Sequence, residues 1–334
     1  MSLSEPSAPV SGAPPADAWR LREDAIMGTA IRVEFWCEDP ALAARAFEAV
    51  LGVMHEVDRS MSPHRPDSEL AAVNRDAARF PVVVGAPFFG LLERAREWAQ
   101  RTGGDFDPSY ASVGHLYDYR TGRMPDPEQL ARARSVVGWE GLQLDSARRS
   151  VAFARPGMRI DLGGIAKGYA VDEAIGALRG LGIAHAHVSA GGDGRVLGDR
   201  RGRPWAVGVA DPRLPGQLVA VLPLRDIAIS TSGDYERFFM REGVRHHHIL
   251  DPRTGRSPAG VRAVTVLAAD GVTAEALGKA VFLRGPQAGL QLIDGLPGVD
   301  ALVIDEQGRL HVSAGFTQPV PERGHATGHT GEQP

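Results

Sequence analysis

The 334-residue chain is poor in lysine. Of 37 basic residues only Lys167 and Lys279 are lysines, the rest being arginine. An ammonium is a compact charge with three donors and a guanidinium a wide planar fork, so two lysines in an arginine-rich chain mark positions worth tracing. Cysteine is scarcer still: Cys37 stands alone, which excludes an internal disulfide framework and a multi-thiolate metal site. No run of 18 apolar residues is present, so no membrane span is expected. A formal charge of −4 leaves no basic footprint for nucleic acid. The N-terminal stretch MSLSEPSAPVSGAPPADAW has neither a positive segment nor an apolar one, unlike an intact signal peptide.

What is present is a globular composition, 43% hydrophobic and 23% charged. Residues 1–18 read as a disordered leader and 317–334, with His325 and His329, as a disordered tail. Between them, 19–316 reads as one α+β region. The patterns predict strands at 31–36, 159–162, 185–190, 205–210, 218–230, 245–250 and 262–268, with a hairpin near 301–312. They predict helices at 40–57, 68–72, 85–102, 165–181 and 273–283. The irregular order argues for mixed sheets with packed helices over a regular βαβ series.

The segment Arg159–Asp172 (RIDLGGIAKGYAVD) reads as a strand, a two-glycine turn and a helix with Lys167 in its first turn. Free N–H groups at a helix start and a nearby ammonium suit a phosphate. The better-known phosphate loops fail: Gly278-Lys279 is followed by Ala280 and preceded at the Walker spacing by Thr273. Leu197 breaks the dinucleotide pattern in Gly191–Gly198, whose glycines read as a hairpin turn. In HHHILDPRTG (246–255), His246 and His248 would share a strand face. One of them suits a general base, and a zinc pair lacks an evident third ligand. Ser230–Ser232 offer hydroxyls at a strand end, and GGDFDP (103–108) sets two carboxylates around Phe106, as ligand contacts or as turn caps.

Taken together, Met27-Gly28-Thr29, SMSPHRPDSELAAVN (60–74), GGDFDP, DLGGIAKGYAVD (161–172), STSGDYERF (230–238), HHILDPRTG (247–255) and TAEALGKA (273–280) resemble, in order, the ApbE-like FAD:protein FMN transferases. The resemblance implies a two-lobed fold with the flavin site between the lobes. It implies an enzyme that splits FAD with help from Mg²⁺ and transfers FMN to a Thr or Ser hydroxyl of a separate acceptor protein, releasing AMP. By that resemblance Met27, Asp105, Phe106, Asp107, Asp161, Lys167 and Ile249 contact FAD, as does His64, where the family often has tyrosine. His248 lies near the accepting hydroxyl, and the Gly164 carbonyl is a metal ligand. The chain departs at the family's Asp and Thr metal ligands, which are Glu275 and Lys279 here. A protonated lysine cannot ligate Mg²⁺. The expectation is that the Lys279 ammonium takes roughly the cation's place with Glu275 positioning it; an exposed i,i+4 ion pair is the alternative. Two other functions stay open on these residues, an FAD-binding protein without transfer and an FAD pyrophosphatase. Members of the family often work in the periplasm.

Overall fold

A computed structural model describes residues 18–316. The leader up to residue 17 and the tail from 317, with His325 and His329, lie outside the described residues. An eight-stranded sheet forms the centre, ordered Trp19–Ile26, Thr29–Trp36, Ala186–Ala190, Asp193–Leu197, Ala228–Gly233, Val261–Ala268, Asp300–Asp305, Leu310–Val312. Every pairing among the described residues is antiparallel, where mixed sheets were expected. The α+β class stands.

Helices Pro40–Met61, Ala166–Gly180 and Gly271–Asp294 supply much of the main core on one sheet face, including Met54, Val171, Ile175, Leu277 and Phe282. The first is started by Asp39, whose carboxylate accepts the Ala41 N–H, and by Pro40 at the first helical position. The third is longer than 273–283 because two helical stretches meet at Gly285 (φ 77°) before Pro286, a pair that breaks the hydrogen-bond ladder without ending the run. The opposite face packs against the hairpin Trp205–Ala210/Leu218–Leu224, with Trp205 edge-on to Trp19 at 5.3 Å. Among the described residues no helix is long and apolar enough to cross a membrane.

Three local readings are corrected. Arg159–Leu162 is irregular and joins no sheet. Its polar backbone is met by side chains: Ile160 N–H donates to Asn74 Oδ1 (2.8 Å), Asn74 Nδ2 to the Ile160 carbonyl (2.9 Å), and Arg159 N–H to Ser112 Oγ (3.0 Å). The strand expected over 218–230 is two, Leu218–Leu224 and Ala228–Gly233, split where Asp226 takes φ 46°. The strand expected over 245–250 ends at His247. The first strand, Trp19–Ile26, was not foreseen. It pairs with Thr29–Trp36 through the two-residue turn Met27-Gly28, both at positive φ as the tight hairpin turn requires.

Candidate active site

One end of the sheet gathers the residues that carry chemistry. The Met27-Gly28 turn leads to Thr29, whose Oγ1 packs against Gly191, and Gly191-Gly192 turn the chain into Asp193–Leu197. Thr231 N–H donates to the Gly192 carbonyl (2.9 Å), bringing Ser230–Ser232 alongside. Above this edge, helices Ala166–Gly180 and Gly271–Asp294 cross at a glycine contact. A methyl group on Gly168 would lie 2.5 Å from the Gly271 carbonyl. This close approach lets Glu275 Oε2 accept the Gly168 N–H at 2.7 Å, so a protein carboxylate occupies the helix start.

Lys167 is pinned there. Its ammonium donates to Asp193 and, at 2.9 Å, to Glu275 Oε1. Ser230 Oγ donates to Asp193 Oδ1 at 2.5 Å. Burial opposes the lysine's charge, but Asp193 and Glu275 outweigh it and push its pKa up. Burial likewise opposes the charge of Asp193, and Lys167 and Lys279 hold that carboxyl below its usual range. Complete burial, with Asp193 beside it, pushes Glu275 up. Lys279 stands 3.9 Å from Glu275 Oε1, outside hydrogen-bond reach, with its side chain 20% exposed. Burial and the neighbouring Lys167 charge push its pKa down.

His248 follows the strand Val244–His247, its N–H donating to the Arg237 carbonyl (3.0 Å). Its Nδ1 and the nearby-strand Ser232 Oγ are buried without partners among the described residues. Burial and the charges of Lys279 and Arg237 take the imidazole down to about 3, so it is neutral at pH 7. His246 stacks on Phe239 (5.1 Å), while His247 bonds the Pro258 carbonyl through Nε2 (3.0 Å). Among the described residues no group of three or more His, Cys, Asp or Glu side chains is arranged to hold a metal ion.

The remaining candidates lie around this centre. Asp161, raised by burial, accepts from Gly163 N–H (2.6 Å) and Tyr110 OH (3.4 Å), and exposed Arg237 adds positive charge near it. Phe106 and Ile249 belong to the main core, and Phe106 abuts Gly164, as does the Lys279 chain. Asp105 pairs with Arg284 (2.5 Å) and Arg253 (3.1 Å). Asp107 caps the Pro108–Tyr110 turn by accepting Ser109 N–H (2.8 Å) and also takes Trp139 N–H (3.0 Å). Both carboxylates therefore have protein partners. A cleft lined by Gly103, Gly104, Asp107, Trp139, Pro252 and Arg253 opens beside them.

The donor set does not fit Mg²⁺. Both Glu275 oxygens already accept protein donors, two ammonium groups stand next to that carboxylate, and Lys279 offers no lone pair while protonated. The Gly164 carbonyl is the one expected ligand left without a hydrogen bond among the described residues. Sequence patterns point to Ser232 only as one of several strand-end hydroxyls, and not to Asp193, Arg237 or Arg284. Asp193 lies 26 residues from Lys167 in a glycine turn with no pattern to point at it.

Comparison with known proteins identifies the family of the chain. The ApbE family model matches residues 27–303. The chain is 36% identical over 318 residues to the FAD:protein FMN transferase of Treponema pallidum (strain Nichols), covering 90% of this chain and 88% of that one. The FAD:protein FMN transferase of Rhodobacter capsulatus is 34% identical over 78% of this chain and 51% of its own. Among solved structures, the Thermotoga maritima ApbE protein superposes with a TM-score of 0.82 at 32% identity, covering 89% of this chain and 97% of that one. The flavin transferase ApbE from Vibrio cholerae gives 0.78 at 27% identity, with the same coverages. The match runs from the Met27 turn, through both lysine-bearing helices, into the strand Asp300–Asp305, so this chain belongs to the ApbE family.

Proposed function

We propose that this protein is a flavin transferase: it takes FAD as donor and moves FMN onto a Thr or Ser hydroxyl of a separate acceptor protein, releasing AMP. Membership of a family whose matched relatives are FAD:protein FMN transferases supports the overall reaction. The observation that carries the site assignment is the convergence of neutral His248 with the ammonium of Lys279 at one end of the sheet. In this reading FAD lies between two lobes of the α+β fold, touching Met27, His64, Asp105, Phe106, Asp107, Asp161 and Ile249.

The chemistry follows from charge. The acceptor oxygen attacks the phosphorus of the FMN half, the bridging P–O bond breaks, and AMP leaves with the electron pair. The hydroxyl proton passes to the His248 imidazole. In the free protein the depressed pKa makes that imidazole a weak base. Burial and then the Lys279 charge depress it; a pyrophosphate anion beside Lys279 offsets the second of these, so donor binding raises the basicity of His248 as it delivers the phosphorus. Lys167 acts earlier, by neutralising Asp193 and Glu275, which would otherwise repel the donor.

Incubation with FAD and a Thr-bearing acceptor domain, followed by denaturing electrophoresis and flavin fluorescence, tests this reading. A fluorescent acceptor band that disappears with His248→Ala is expected. Free FMN without labelled acceptor would make the protein a pyrophosphatase, and intact bound FAD a binding protein.

A further inference from the structure

We infer that Lys279 is the resident cation of this site, its ammonium binding the donor's pyrophosphate where a divalent metal would otherwise be needed. The inference rests on FAD being the donor.

Three observations carry it. First, the two lysines are unequal. Lys167 spends its charge on Asp193 and Glu275, whereas Lys279 lies 3.9 Å from Glu275 and makes no hydrogen bond among the described residues. Its three N–H donors are thus unspent on a side chain that is 20% exposed. Second, its aliphatic stem is positioned by the fold. Lys279 Cε lies 3.8 Å from where a Gly164 side chain would begin, so the missing side chain leaves room for it. Third, two polar atoms at the same place are buried and unsatisfied, Ser232 Oγ and His248 Nδ1. Ser232 Oγ lies 3.4 Å from the Cβ position of Gly278, the residue before Lys279. Buried polar atoms without partners are uncommon, and a phosphate oxygen and an acceptor hydroxyl are the groups that would complete this pair.

Charge balance points the same way. Two carboxylates, Asp193 and Glu275, face two lysines, Lys167 and Lys279, so the side chains of the cluster already offset one another. A divalent ion added here meets two ammonium groups and a carboxylate with both oxygens engaged. A pyrophosphate meets one cation with free donors.

Binding measured without turnover separates this inference from the transferase reading. FAD and riboflavin affinities are measured by flavin fluorescence, in EDTA and in excess Mg²⁺, for the native protein, Lys279→Met and Lys279→Arg. The native protein is expected to bind FAD equally in both buffers. Lys279→Met is expected to bind FAD about 10- to 150-fold more weakly, the worth of one charge-assisted hydrogen bond, with riboflavin unchanged because it has no phosphate. Lys279→Arg, which keeps the charge, recovers part of the FAD affinity. A structural role for Lys279 would weaken both flavins alike and overturn the inference. So would native FAD binding that collapses in EDTA. Unchanged FAD affinity in Lys279→Met would overturn it too, whereas native protein that binds FAD but transfers no FMN would count against the reaction proposed above.

Discussion

Replacing Lys167 by methionine tests how the cluster is held. In the native fold its ammonium donates to two carboxylates whose side chains are 3% and 0% exposed, those of Asp193 and Glu275. Removing one partner of a buried ion pair, and so leaving buried charge uncompensated, costs about 3–5 kcal/mol. Lys279, at 3.9 Å and without a hydrogen bond, is not placed to replace it. We therefore predict that Lys167→Met lowers unfolding free energy by about 3–5 kcal/mol at pH 7, while Lys279→Met costs about 1 kcal/mol or less, the range of a loose ion pair. The pH dependence has a sign. Glu275 is already pushed up by burial and Asp193, and losing Lys167 pushes it further. A carboxyl whose folded pKa exceeds its unfolded value destabilises the fold as pH rises through that window. The deficit of Lys167→Met should therefore shrink from neutral pH toward the ordinary carboxylate range. Urea unfolding of both variants at several pH values measures this. Equal destabilisation by the two variants, or a deficit that grows toward acid, would refute the division of labour between the lysines.

Gly168→Ala places a methyl group 2.5 Å from the Gly271 carbonyl. It should cost about 1–3 kcal/mol by overpacking and weaken FAD binding by displacing Glu275, both readable from thermal unfolding and flavin titration. His248→Gln should lower the transfer rate about 10²- to 10⁴-fold while FAD affinity holds, as for a lost general base; an equal fall in affinity would make His248 a binding residue instead. FAD binding should weaken as pH rises through the lowered Lys279 pKa, because only the ammonium attracts the pyrophosphate. The groups facing it are Glu275 on its own helix, Lys167 on the neighbouring helix, Asp193 on the sheet, and His248, which is already neutral. Lys279→Arg should carry binding to higher pH, and an unshifted profile would point to another titrating group.

The helices were the most legible part of this fold. Alanine-rich periodicity with an Asp39-Pro40 start marks Pro40–Met61 but stops about one turn short of its observed end. The sequence was silent where side chains replace a neighbouring strand, as Asn74 and Ser112 do for Arg159–Leu162. In the site, the scarcity of lysine drew attention to Lys167 and Lys279, and the i,i+4 spacing paired Lys279 with Glu275. What could not be read was which carboxylates hold Lys167. Asp193 reaches it through strand pairing 26 residues away, and Glu275 through a glycine crossing 108 residues away. Local spacing made Lys167 look like a free phosphate binder, whereas tertiary pairing makes it a fixed counter-charge.

The central claim is FMN transfer at a site whose cation is a lysine. Intact-mass spectrometry of a Thr-bearing acceptor, incubated with this protein and FAD in EDTA and in Mg²⁺, tests it most directly. The account predicts a gain of one FMN mass in both buffers, abolished by Lys279→Met. A gain confined to Mg²⁺, or no gain in either, would contradict it.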